Sequence, residues 1–204
     1  MKQEMLDIVK NKCMSCKGCA LAKSRNNVVF ADGNPETASI VLIGEAPGEM
    51  EDMSGMPFVG RAGKLLNDFL IDAGISREED LYIINTVKCR PPENRVPSDE
   101  EKSACEKFLH AQIDIMNPKA ILFCGATALK SFWSDPKVQI SKIRGNWLTV
   151  SINGKEYKAM AIYHPSYLLR NHSMEEGSPR RLMQEDLRKV KETVLSEKRE
   201  LVLA

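Results

Sequence analysis

The stretch SIVLIGEAPGEMED, residues 39–52, decides the fold. Ser39 leads into a short apolar run, Ile40 to Ile43, and a Gly- and Pro-rich loop follows at once, which is how a strand ends in a sheet buried on both faces. Three further β-rich runs follow it along the chain: 81–84 (LYII), 120–124 (AILFC) and 159–163 (AMAIY). Helix-like stretches at 62–73, 98–116 and 125–133 separate them. The middle one opens on Ser98 as an N-cap, with Asp99, Glu100 and Glu101 at the positive end of the helix dipole. Residues 179–197 read as a C-terminal helix with Pro179 in its first turn. This alternation predicts an α/β fold, a three-layer α/β/α arrangement around a mainly parallel four-stranded central sheet. Asn153-Gly154, between two β-prone segments of 147–163, predicts a tight hairpin leading into the last strand.

Residues 1–204 are long enough to bury one sizeable core, and the chain is read as a single domain whose N-terminal segment carries cysteines. The apolar runs are far too short to span a bilayer, and the charged first dozen residues suit a surface helix and not a signal peptide. The expectation is a cytoplasmic monomer with no membrane partner. Net charge is +1, but it is unevenly spread: residues 1–30 carry six basic and two acidic side chains, and 31–60 carry six acidic and none basic. Residues 137–146 add three basic groups and no acid. Such patches suit a polyanion, and equally an ordinary solvated surface.

In a parallel sheet, ligands bind beyond the carboxyl ends of the strands. The residues standing there are Gly44-Glu45-Ala46, Asn85, Gly125 and His164-Pro165-Ser166. A carboxylate, an amide and an imidazole thus converge on one rim. Glu45 can hold or activate a water, and the loop amides can meet negative charge. Asn85 offers both a donor and an acceptor, which matches the imide edge of uracil and mismatches cytosine. His164 can donate a hydrogen bond to a leaving group. Phe58 lies in a Pro/Gly loop outside any apolar periodicity, where it either stacks on a flat base or caps the core. Arg61 and Lys64 can meet phosphates or face solvent. Tyr167 to Arg170 form a bulky segment with one cation, suited to wedging into a base stack, although Leu168 and Leu169 also suit a core. The loop lacks the spacing of a dinucleotide or phosphate-binding loop.

Six cysteines in such a chain point to metal ligation or buried thiols before disulfides. Four thiolates suit zinc as well as an iron–sulfur cluster. Cys13-x-x-Cys16 and Cys16-x-x-Cys19 have the same spacing, and Cys124 falls in a core strand as an inert thiol.

GEAPG, PFVGRAGKLL, NTVKCRPPENR and HPSYLLR, in this order, closely resemble the family 4 uracil-DNA glycosylases, the iron–sulfur branch of their superfamily. The likeness runs from about Cys16 to Arg170. It implies a 4Fe–4S cluster on Cys16, Cys19, Cys89 and Cys105, with Cys13 spare. It implies uracil-containing DNA, single- or double-stranded, as the partner. It also implies excision of a base flipped out of the helix. Phe58 would then stack on that base and Asn85 would read it. His164 and the Gly44, Glu45 and Ala46 amides would stabilise the departing anion, and Ser166, Arg170, Arg61 and Lys64 would touch DNA. The best-known branch has an aspartate at the position of Ala46, so water handling falls to Glu45 first and Glu51 second. Two other readings compete. A covalent uracil-capture module would need a histidine that NTVKCRPPENRVPS lacks, and an iron–sulfur redox protein would leave Phe58, Asn85 and His164 without a purpose.

Overall fold

The structure, a computed structural model, describes residues 1–133, 135 and 137–196. Residue 197 of the expected last helix, and the tail of the expected single domain, lie outside the described residues. The helices and strands in chain order are α1 (Lys2–Met14), β1 (Ile40–Gly44), α2 (Glu49–Ser54), α3 (Arg61–Ala73), β2 (Leu81–Asn85), α4 (Asp99–Met116) and β3 (Ala120–Cys124). There follow α5 (Ala126–Lys130), α6 (Ile140–Ile143), β4 (Trp147–Ile152), β5 (Lys155–Ile162), α7 (Pro165–Leu168) and α8 (Pro179–Val190).

The sheet has five strands in the order β2-β1-β3-β5-β4, one more than expected. Four are parallel, and the fifth, β4, runs antiparallel to β5 along the edge. The reason is the hairpin at Asn153-Gly154, whose φ angles of 50 and 77 are those of a tight turn that matches strand twist. β4 alternates buried and exposed residues at its end, as a half-solvated edge strand does, whereas β1, β2 and β3 are buried throughout.

Alternate strand residues feed two cores. Leu42, Ile83, Leu122 and Met160 pack against Leu66, Phe69 and Leu70 of α3 and Met183 and Leu187 of α8. Ile43, Ile84, Phe123 and Ala161 pack against Leu6 of α1 and Leu109, Ile113 and Met116 of α4. Each of these side chains except Ala161 contributes about 1.5–3 kcal/mol relative to exposure, so both helical layers are fixed to the sheet. α3 buries positions 66, 69, 70 and 73, a helical stripe, and stops at Gly74. α4 starts with a full capping box, in which Ser98 Oγ accepts from Glu101 N at 3.2 Å and Glu101 Oε2 accepts from Ser98 N at 2.8 Å. On the outer side of β2, Asp32 exchanges both backbone hydrogen bonds with Ile83 in an isolated bridge, at 2.8 and 3.1 Å.

The register places the site. Gly44 is paired with Asn85, Ile43 with Phe123, and Cys124 with Ile162. The four parallel strands therefore end level, and whatever follows them meets on one rim.

Candidate active site

That rim opens into a cavity of about 450 Å³. Glu45, Ala46, Glu51, Phe58, Asn85, His164 and Ser166 all line it. The sequence-derived rim is thus one place in space. Gly44 lies just behind: a Cβ there would stand 2.7 Å from Cζ of Phe58 and would overlap Asn85 Oδ1, so only glycine lets ring and amide approach the strand end together. Gly125, at φ 98, plays the same part under His164, whose Cβ would be 2.9 Å from an added methyl.

Asn85 is buried, and its side chain makes no hydrogen bond among the described residues, so its amide faces the cavity with donor and acceptor both unspent. The two acids behave differently. Glu51 Oε1 accepts from Val59 N at 2.9 Å and Gly60 N at 2.8 Å, which spends that carboxylate oxygen on holding the loop after Phe58. Glu45 is held by its backbone, whose carbonyl accepts from Thr86 Oγ1 at 2.6 Å, while its carboxylate has no partner among the described residues.

His164 follows β5, and Pro165 fixes the turn after it. Its Nδ1 accepts from Ser166 N at 3.2 Å and lies 2.7 Å from Ser166 Oγ. With Nδ1 occupied as an acceptor, the neutral ring carries its hydrogen on Nε2. Burial pushes the His164 pKa below its ordinary value, against an opposing pull from Glu51, so the ring stays neutral. Its centroid is 5.9 Å from that of Phe58, tilted by 38°.

Arg61, Lys64 and Arg170 do not line the cavity; all three are exposed. Ser166, expected to touch DNA, is exposed but also orients His164. Leu168 is fully buried in the core, which removes it from the wedge segment; Tyr167 and Arg170 remain outside. Asn94 and Arg95 line the cavity without having been singled out. Glu93 and Asn94 have φ of 54 and 56, and this left-handed pair turns the PENR loop back over the site. Arg95 is gripped by Glu101 at 2.7 and 2.8 Å, which holds the Glu101 carboxyl down at about 2. The run of two prolines before a polar pair was the available signal.

The N-terminal segment brings Cys13, Cys16 and Cys19 together with Cys89 and Cys105 around one small void. Among the described residues no group of three or more histidine, cysteine or acidic side chains is placed to hold a metal ion. N–H donors reach two of these sulfurs: Arg25 Nη1 to Cys89 at 3.2 Å and Gly18 N to Cys16 at 3.4 Å. Cys13 receives none among the described residues, and burial pushes its thiol up to about 12. Lys88 also borders the void, is fully buried, and donates from Nζ to Asn85 O at 2.8 Å. Cys124 lies at the end of β3, where burial raises its thiol far above the ordinary range.

A level rim of strand ends, a buried unsatisfied amide, an aromatic ring and a neutral histidine around one cavity define a site for a flat heterocycle on an α/β sheet. The sequence matches the uracil DNA glycosylase superfamily over residues 30–188. It is 49% identical to a type-4 uracil-DNA glycosylase of Thermotoga maritima, covering 96% of this chain and 98% of that one. Similar enzymes are found in Sulfurisphaera tokodaii (38%, covering 96% of this chain and 88% of that one) and Archaeoglobus fulgidus (42%, 85% and 87%). The chain belongs to the type-4 branch of the uracil-DNA glycosylase superfamily.

Proposed function

We propose that the protein is a monofunctional DNA repair glycosylase that hydrolyses the N-glycosidic bond of deoxyuridine in DNA, releasing uracil and leaving an abasic site. The observation that carries this reading is the unspent amide of Asn85 facing the same cavity as Phe58 and His164. The nucleotide rotates out of the stack, because the bond is unreachable within it. Phe58 stacks on the base, and Asn85 pairs with its imide edge. Leaving those buried groups unpaired against cytosine costs about 1–3 kcal/mol each.

As the C1′–N1 bond breaks, its electron pair leaves with uracil and positive charge grows on the sugar. The Nε2–H of His164 and the amides at Gly44, Glu45 and Ala46 meet the developing anion. A water then bonds to C1′ and gives up a proton. The unpaired carboxylate supports Glu45 for that water, and the loop hydrogen bonds of Glu51 support a holding role instead.

The reading includes a 4Fe–4S cluster on Cys16, Cys19, Cys89 and Cys105. Thiols gathered around one void, and N–H donors to two of those four sulfurs, suit thiolate ligands. So does the buried ammonium of Lys88, a charge that such an anionic group would compensate. When bound, the cluster supplies a staple from the N-terminal segment to residues 89 and 105. Cys13 remains outside the set.

Uracil-containing DNA is the partner, with exposed Arg61, Lys64 and Arg170 and the rim residue Ser166 towards its backbone. The working form is a single domain and a monomer in the cytoplasm. No helix among the described residues is long and apolar enough to cross a membrane. The test is a uracil-containing oligonucleotide treated with the purified protein, beside iron and zinc analysis. Free uracil and alkali-labile sites are expected, and no release at any salt or pH defeats the reading.

A further inference from the structure

Phe58 has φ 52, a left-handed backbone that an aromatic residue adopts only where its surroundings hold it there. The group that holds it is Arg77, which lies beyond the end of α3 and borders no part of the cavity. Its guanidinium donates from Nη2 to Pro57 O at 2.6 Å and from Nη1 to Phe58 O at 3.1 Å. Nη1 also reaches Asn67 Oδ1 at 2.8 Å, and Nε reaches Asp32 Oδ2 at 2.8 Å. The Arg77 side chain is 17% exposed, and its ion pair with Asp32 fixes it from behind.

Across the same loop, Glu51 takes the N–H groups of Val59 and Gly60. Residues 57–60 are thus held by their carbonyls on one side and their amides on the other, by two groups of opposite charge. The planar fork of arginine meets two adjacent carbonyls and two side-chain oxygens at once; the single ammonium of lysine cannot.

We propose that Arg77, braced by Asp32, is a positioning residue that sets the attitude of the Phe58 ring for stacking on the extruded base. This rests on the reading that Phe58 stacks on uracil. Arg77 does not line the cavity, and its contacts with the site are to the Pro57 and Phe58 carbonyls, so its effect on a base held there passes through Phe58.

The experiment is a double-mutant cycle of Arg77→Lys and Phe58→Ala, read as single-turnover uracil release from a single-stranded oligonucleotide. Affinity for the same oligonucleotide carrying thymine in place of uracil is measured in parallel. Arg77→Lys is expected to slow release by roughly tenfold, the order of a lost base–aromatic stack. Affinity for the thymine oligonucleotide should stay within about twofold, and the double variant should be no more than about twofold slower than Phe58→Ala alone. Losses that multiply would overturn the role of Arg77, as would a variant with lowered Tm and an unchanged rate. A Phe58→Ala enzyme as fast as the parent would overturn the stacking reading and this one together. Should Arg77→Lys fail to fold, Asp32→Asn enters the same cycle, with the same outcomes for and against.

Discussion

Substituting Gly44 by alanine tests the geometry of the whole rim from behind, without adding a group to the cavity surface. The new Cβ would stand 2.7 and 2.8 Å from two ring carbons of Phe58 and would overlap Asn85 Oδ1. Carbon atoms at rest lie about 3.5–4.0 Å apart, so the ring must move by close to 1 Å. It cannot retreat freely, because Arg77 and Glu51 fix the backbone of residues 57–60. Relief comes from pushing the ring towards the base and swinging the Asn85 amide. Overpacking of this kind costs about 1–3 kcal/mol, which is ~3–9 °C in Tm for a chain of this size. A misplacement of about 1 Å in a reacting geometry costs on the order of 10²-fold in rate. The assay is kcat/KM for uracil release from a single-stranded oligonucleotide, with a thermal melt of the same preparation. Activity within about twofold of the parent, together with an unchanged Tm, would refute the claim that ring and amide are seated against the strand end.

His164→Ala should lower kcat by roughly 10²–10³, as loss of an anion-stabilising donor does. Because burial lowers the His164 pKa below 6.5, its neutral form, and the activity that needs it, should persist as pH falls through that value and fail only further down. The same shift means the unfolded chain binds the proton first, so the stability contributed by His164 is full above 6.5 and declines on acidification below it; a melt series from pH 8 to 5 checks the sign. Asn85→Asp should erode the preference for uracil over cytosine, and unchanged discrimination would take Asn85 out of base reading. Arg170→Ala should weaken binding to duplex more than turnover on single strands, measured by titration and by rate; equal losses would end the wedge role. Cys89→Ser should lose iron and its visible absorption while Cys13→Ser keeps both, and the reverse pattern would reassign the ligands.

The rim was legible because level parallel strands turn sequence position into spatial position: the residue after each apolar run had only one place to go. Phe58 was visible as an aromatic with no core periodicity to explain it. Its left-handed backbone was not, because that depends on Asp32, Arg77 and Glu51, which meet only after the sheet forms. Glu45 ranks ahead of Glu51 in the sequence only by standing at the strand end; what separates them in the fold is that the Glu51 carboxylate meets two backbone amides and that of Glu45 meets none among the described residues. Asn94 and Arg95 escaped notice because their approach to the cavity requires two consecutive positive φ angles, which propensity does not foretell. The fifth strand was half read, its hairpin seen at Asn153-Gly154 but its mixed polarity concealing an edge strand. The equal spacing of Cys13, Cys16 and Cys19 left their roles open, and the fold gathers all three at one void.

Asp32 serves two purposes that can be separated. Its main-chain pairing with Ile83 occupies the middle of the outermost strand on the β2 side, at a place where a foreign β-segment would otherwise add on and begin association. Its carboxylate is free to brace Arg77. Changing that carboxylate leaves the main-chain pairing in place, so variants at residue 32 can lose activity while remaining as soluble and as resistant to aggregation as the parent.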